Sequence, residues 1–124
     1  MQALRDLLQP ERLTSVVDIC DTDEGGAPYQ RMLDEGLCTV VGFEPIPTAL
    51  EKLQQSKGPN ETYLPDAIGN GQTHTLHLTA NQGMVSFLEP DPKKAALFLG
   101  FPQWTEVKQL KPMATVRLDD MEAV

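Results

Sequence analysis

Acidic residues recur at three places where an apolar run of this chain gives way to a turn. The stretch "SVVDICDTDEGG" (15–26) carries Val16, Val17 and Ile19, then breaks into Asp18, Cys20, Asp21, Asp23 and Glu24 with a glycine pair behind them. "VVGFEP" (40–45) ends in Glu44 and Pro45, and "TYLPDAIG" (62–69) contains Asp66 and Ala67. An ionised carboxylate offers two acceptor oxygens, so an acid just beyond a strand can take both hydroxyls of a ribose. Glu44 lies 26 residues after Asp18, close to the spacing of about 20 in adenosine-binding folds. The competing reading is that Glu44 faces water after its strand.

The turn "CDTDEGGAP" (20–28) separates ligand classes. A pyrophosphate seated on a helix N-terminus needs a glycine-rich turn without like charge. Three acids repel it, but they do not repel an adenosine ligand bearing a sulfonium and an ammonium. The turn therefore favours S-adenosylmethionine over NAD and speaks against a nucleotide-binding oxidoreductase.

The elements that must position these acids follow from apolar period and punctuation. Leu4, Leu7 and Leu8 are at helical spacing and Pro10 stops them, giving an N-terminal helix within 1–14. Strand one is expected at 15–20. Pro28 sits in the first turn of a helix striped by Tyr29, Met32 and Leu33 and capped by Gly36. "CTVVGF" (38–43) is a continuous apolar strand, as in a parallel sheet covered on both faces. Pro47 opens a helix with Ala49, Leu50 and Leu53 inward and Gly58 behind it, and 62–69 is a third strand or its end. This alternation predicts a doubly wound α/β sheet, with a nucleotide-binding βαβαβ part over 15–69. Ligands of such sheets bind beyond the carboxyl ends of the strands. Over 70–124 the expectation is a strand at 73–79, a short apolar run ending in "EPDP", a short helix in "KKAALFLGF" and a last strand in "KPMATVRLDDM".

Composition sets the bounds. The chain has 124 residues, which fits one domain, and 40% are apolar, which fits a globular fold. Ten basic against 18 acidic residues leave a net charge of −8, the wrong sign for a phosphate backbone; no nucleic-acid partner is expected. No apolar run is long enough for a membrane span, and "MQALRDLLQPER", without a basic start or a long apolar run, is not expected to be a signal peptide. Cys20 and Cys38 read as buried thiols of a reducing, cytoplasmic protein rather than a disulfide.

Other constellations carry less. His74 and His77 are three apart on a strand, so they face opposite sides and make no metal pair. Ser86 has no base beside it in sequence. "EPDP" (89–92) reads as a solvated turn or a flap over a substrate, and Phe98, Phe101 and Trp104 as a packing cluster before a ligand platform.

The segments "VVDI", "VVGFEPIPTALEKL", "PDAIGNGQTHTLHLT", "MVSFLEPDP" and "ATVRLDDM" together resemble the FkbM-type S-adenosylmethionine-dependent methyltransferases, over about 15–121. The most specific elements are "GFEP" with a proline two residues on, the "AIGNG" turn and the closing "RLDD". The resemblance implies a Rossmann-like class I methyltransferase sheet and methyl transfer to an oxygen of a sugar or small metabolite. It implies that Asp18, Cys20 and Asp21 hold the methionine part, that Glu44 in the "FEP" segment with Pro45 holds the ribose, and that Asp66 and Ala67 flank the adenine. Cys20 stands where the family has glycine. The family continues into a strand of the form "D-x-L-K-I-D-V-E-G", which these residues do not include, so the sheet is expected to be incomplete on the C-terminal side. The chain is then the cofactor-binding part, or a truncated member, of a methyltransferase acting on a small-molecule acceptor. No residue takes the role of catalytic base. The rival expectation is a non-catalytic α/β module whose open sheet edge is completed by a second copy or a partner chain.

Overall fold

The computed structural model describes residues 6–7, 9–19, 26–122 and 124. Contacts divide the chain into two compact units, one of Met1–Ile68 with Val116–Val124 and one of Gly69–Thr115. The expectation of an N-terminal helix falls largely on residues 1–5 and 8, outside the described residues, and Thr14 already belongs to the first strand.

In the first unit, β1 (Thr14–Ile19) is followed by α1 (Gln30–Asp34), β2 (Cys38–Phe43), α2 (Pro47–Ser56), β3 (Glu61–Leu64) and the two-residue β4 (Ala67–Ile68). The β-branched run Val16, Val17, Ile19 suits a pleated strand. α1 begins two residues after Pro28, because Ala27 to Gln30 first form a turn in which the Gln30 N–H donates to the Ala27 carbonyl. Gly36 ends α1 in the left-handed region at φ +67°, which costs glycine little. Pro47 opens α2 at its first turn, where a missing N–H leaves nothing unpaired. The expected third strand divides at Pro65 and Asp66, since proline has no N–H for a ladder.

The strands β1, β2 and β3 pair in that order and all parallel. Their register sets Ile19 beside Phe43 and Phe43 beside Leu64, so three strands finish side by side. The core of this unit is Leu37, Cys38, Val40, Phe43, Leu53, Tyr63 and Ala67. β2 is buried or half-buried throughout, as its continuous apolar run requires. β1 lies at an edge, and Val17 and Ile19 are 37% and 48% exposed.

The second unit is built on an antiparallel pair, β5 (Thr73–Thr79) and β6 (Val107–Val116), which starts earlier than the sequence predicts. A register shift between Leu78 and Thr79 breaks the alternation, and Thr79 is buried along with Leu76. "EPDP" resolves into a helix start: the Asp91 carboxylate accepts from Lys93 N–H and Lys94 N–H, and Pro92 opens α3 (Pro92–Ala95). α4 (Phe101–Trp104) follows Gly100, whose φ of +84° suits glycine. The Phe98, Phe101 and Trp104 rings pack in sequence as tilted pairs, with centroids 5.1 Å and 5.5 Å apart.

The fold is thus mixed α/β. Parallel pairing is seen in the three-stranded sheet of the first unit, and the second unit pairs its strands antiparallel, so the described sheets form no closed barrel.

Candidate functional site

Three parallel strands ending side by side bring together what the chain keeps apart. Asp18 is the next-to-last residue of β1, Glu44 and Pro45 follow β2 directly, and Asp66 with Ala67 follows β3 after Pro65. Neighbouring strands lie about 4.8 Å apart, so these residues share one edge of the sheet. Cys20 and Asp21 fall outside the described residues, as do Asp23 and Glu24 of the acidic turn.

Glu44 is 3% exposed, so it does not face water after its strand. Its N–H continues the β2–β3 ladder by donating to the Leu64 carbonyl at 2.9 Å. Its Oε1 accepts the Ile46 N–H at 2.7 Å. Ile46 is the N-cap residue of α2, so the same carboxylate fixes the entry into that helix. Pro45, between them, is half-buried.

Asp18 is half-buried, and its Oδ2 accepts the Tyr29 hydroxyl at 2.5 Å. Tyr29 is the N-cap residue of α1. The bond ties the end of β1 to the start of the helix that follows it. Tyr29 reads from the sequence as one of an apolar stripe; only its partner, Asp18, shows that its phenol is used as a donor. Asp66 is half-buried and Ala67 is buried.

Gly42 lies opposite Tyr63 in the β2–β3 register. A Cβ built on Gly42 would stand 2.5 Å and 2.6 Å from the Tyr63 ring. The ring therefore lies across the glycine, just ahead of Glu44. Tyr63 donates its hydroxyl to Glu61 Oε1 at 2.8 Å, and its carbonyl accepts from Gln54 Nε2 at 2.7 Å. Glycine in "VVGFEP" was the signal available for this close approach.

Cys38 is a free, fully buried thiol at the opposite end of β2. Burial pushes its pKa up, and the Glu61 charge pushes the same way. It stays protonated at neutral pH and is no nucleophile.

The histidines do not converge. His74 Nε2 meets Asn70 Oδ1 at 2.7 Å, and His77 Nδ1 meets the Ser86 carbonyl at 3.2 Å. Among the described residues there is no group of three His, Cys, Asp or Glu placed to hold a metal, and no helix long and apolar enough to cross a membrane. No family model, no curated protein and no solved structure matches the chain.

Proposed function

We propose that the strand-end edge of the first unit binds the adenosine of S-adenosylmethionine, and that the chain is the cofactor-binding part of an FkbM-type O-methyltransferase. The observation that carries the reading is the placement of Glu44: an acid at the end of the middle of three parallel strands, level with the ends of its two neighbours. In this reading Glu44 accepts the ribose hydroxyls, and Asp66 and Ala67 lie against the adenine. Asp18, with Cys20 and Asp21, holds the methionine end, whose ammonium suits a carboxylate.

The acceptor set suits that ligand, since a diol and an ammonium donate hydrogen bonds and a sulfonium favours nearby negative charge. Burial adds a cost. A ribose reaches a carboxylate that is 3% exposed only once the chain over it moves aside, so part of the binding free energy goes into that opening. The bound cofactor supplies an electrophilic methyl group. The chain's own residues orient it, and the acceptor, a sugar or small metabolite, is aligned with it by proximity. The test is calorimetry with S-adenosylhomocysteine. Saturable, weak binding that Glu44→Gln reduces supports the reading; absence of binding, or binding indifferent to Glu44, refutes it.

A second reading, a non-catalytic module that pairs with another chain, draws on the exposed edge strand β1 with Val17 and Ile19 in solvent. Sedimentation decides it: a stable dimer that does not bind S-adenosylhomocysteine supports the module, and a monomer across the concentration range argues against self-pairing.

A further inference from the structure

We propose that the turn between α3 and α4 of the second unit docks on the surface of an anionic lipid bilayer, with its apolar tip in the interface and lysines of the same unit at the headgroups. The inference does not depend on the reading of the first unit. The tip is the run Leu97, Phe98 and Leu99, which are 78%, 59% and 99% exposed. α3 runs into it through a tightening turn, in which the Leu97 and Phe98 N–H groups donate to the Lys94 and Ala95 carbonyls. Ala95 is buried and anchors that turn. Gly100 follows in the left-handed region. The Trp104 indole lies over it, since a Cβ on Gly100 would stand 2.9 Å from the ring. Phe101 joins the Phe98 and Trp104 rings, so the tip and an exposed indole form one apolar surface.

A single exposed leucine is ordinary, whereas a contiguous apolar patch marks a contact surface. Shape selects what makes the contact. Leu99 is fully clear of the chain and stands out as a knob. A protein partner would need a pocket cut to fit it, but the boundary between headgroups and acyl chains takes in such side chains without a preformed shape. Leu and Phe beside Lys are the composition of segments that lie in that boundary, and tryptophan settles at the headgroup level.

Charge selects the lipid. Residues 69–115 carry Lys93, Lys94, Lys108 and Lys111 against Glu89, Asp91 and Glu106, a net of +1 in a chain whose total is −8. Lys93 and Lys94 stand four and three residues before Leu97, the spacing that puts side chains on one face of a helical turn. Lys94 lies 3.8 Å from Asp91, and Lys108 lies 2.7 Å from Glu106. Exposed pairs of this kind are weak, so lipid phosphates compete for these lysines. Acids farther off than a Debye length, about 8 Å at physiological salt, are screened.

Trp104 is the single tryptophan of the chain, so its fluorescence reports on this turn. The experiment is a titration of the full chain with vesicles of phosphatidylcholine and phosphatidylglycerol in equal parts, beside vesicles of phosphatidylcholine alone. A saturable blue shift with the anionic vesicles is expected, with partition into the neutral ones at least about fivefold weaker. Replacing Lys93→Gln and Lys94→Gln together should lower partition into the anionic vesicles by about five- to twentyfold, because each lysine at a charged surface contributes about fivefold. Leu99→Ser should lower it by about tenfold and leave the urea midpoint unchanged, since the Leu99 side chain is clear of the core. No shift with anionic vesicles, equal partition into both kinds, or partition unchanged in both variants would overturn the proposal. So would a blue shift that appears without lipid as the chain dimerises in sedimentation, which would assign the tip to a second copy.

Discussion

Gly42→Ala tests how the strand-end edge is assembled. The new methyl would stand 2.5 Å and 2.6 Å from Cδ1 and Cε1 of Tyr63, whereas carbon atoms in contact sit at about 3.5–4.0 Å. The ring must therefore retreat by about 1 Å. It has little room to do so, because Tyr63 is 6% exposed and anchored at its hydroxyl by Glu61 and at its carbonyl by Gln54. Overpacking of this kind costs about 1–3 kcal/mol, and loosening the phenol–carboxylate bond adds about 1 kcal/mol. Replacing glycine in a strand returns about 0.5–1 kcal/mol of backbone entropy. The net is a loss of about 1–3.5 kcal/mol, a large share of a total stability of about 5–15 kcal/mol. Urea unfolding should show a lower midpoint with the slope m unchanged. The same substitution in a Tyr63→Val background, where the ring is gone, should be neutral or stabilising, so the cycle isolates a coupling of about 2–4 kcal/mol between the two positions, the overpacking and bond terms together. A neutral Gly42→Ala, or an equal loss in both backgrounds, would refute the reasoning.

Glu44→Ala should cost about 1–3 kcal/mol in thermal or urea unfolding, because it leaves the Ile46 N–H without its acceptor. Glu44→Gln keeps an acceptor oxygen and should lose less, while weakening S-adenosylhomocysteine by calorimetry. Thr115→Val should destabilise by about 1–3 kcal/mol, since the buried Thr115 hydroxyl donates to the Gln72 carbonyl and accepts the Gly71 N–H; hydrogen exchange should rise first at Gly71. Cys38 should resist a disulfide reagent in the folded chain and react on unfolding. Its folded pKa is raised by burial, so the stability it contributes is complete below the usual thiol pKa of about 8.5 and is lost as the pH rises above it. Stability curves between neutral and alkaline pH should show that fall, and Cys38→Ala should flatten it.

The sequence by itself determined the elements whose causes are local. β2 at 38–43, α2 from Pro47 and β5 at 73–79 stand where their apolar runs, proline and alternation put them, because strand and helix periods are fixed within a few residues of backbone. The position of Glu44 was legible for the same reason, since it directly follows the apolar run of β2. Tertiary structure decided what depends on partners far along the chain. The order and register of β1, β2 and β3 place Glu44 level with its neighbours, and packing buries it and gives it Ile46 as a donor. The Tyr29 hydroxyl reaches Asp18 eleven residues back, Tyr63 covers Gly42, and a register shift carries Thr79 into the interior. A residue's type fixes what it can donate, accept or bury, but which atom meets it is set by strand pairing and close packing over long sequence separations, and no local pattern carries that information.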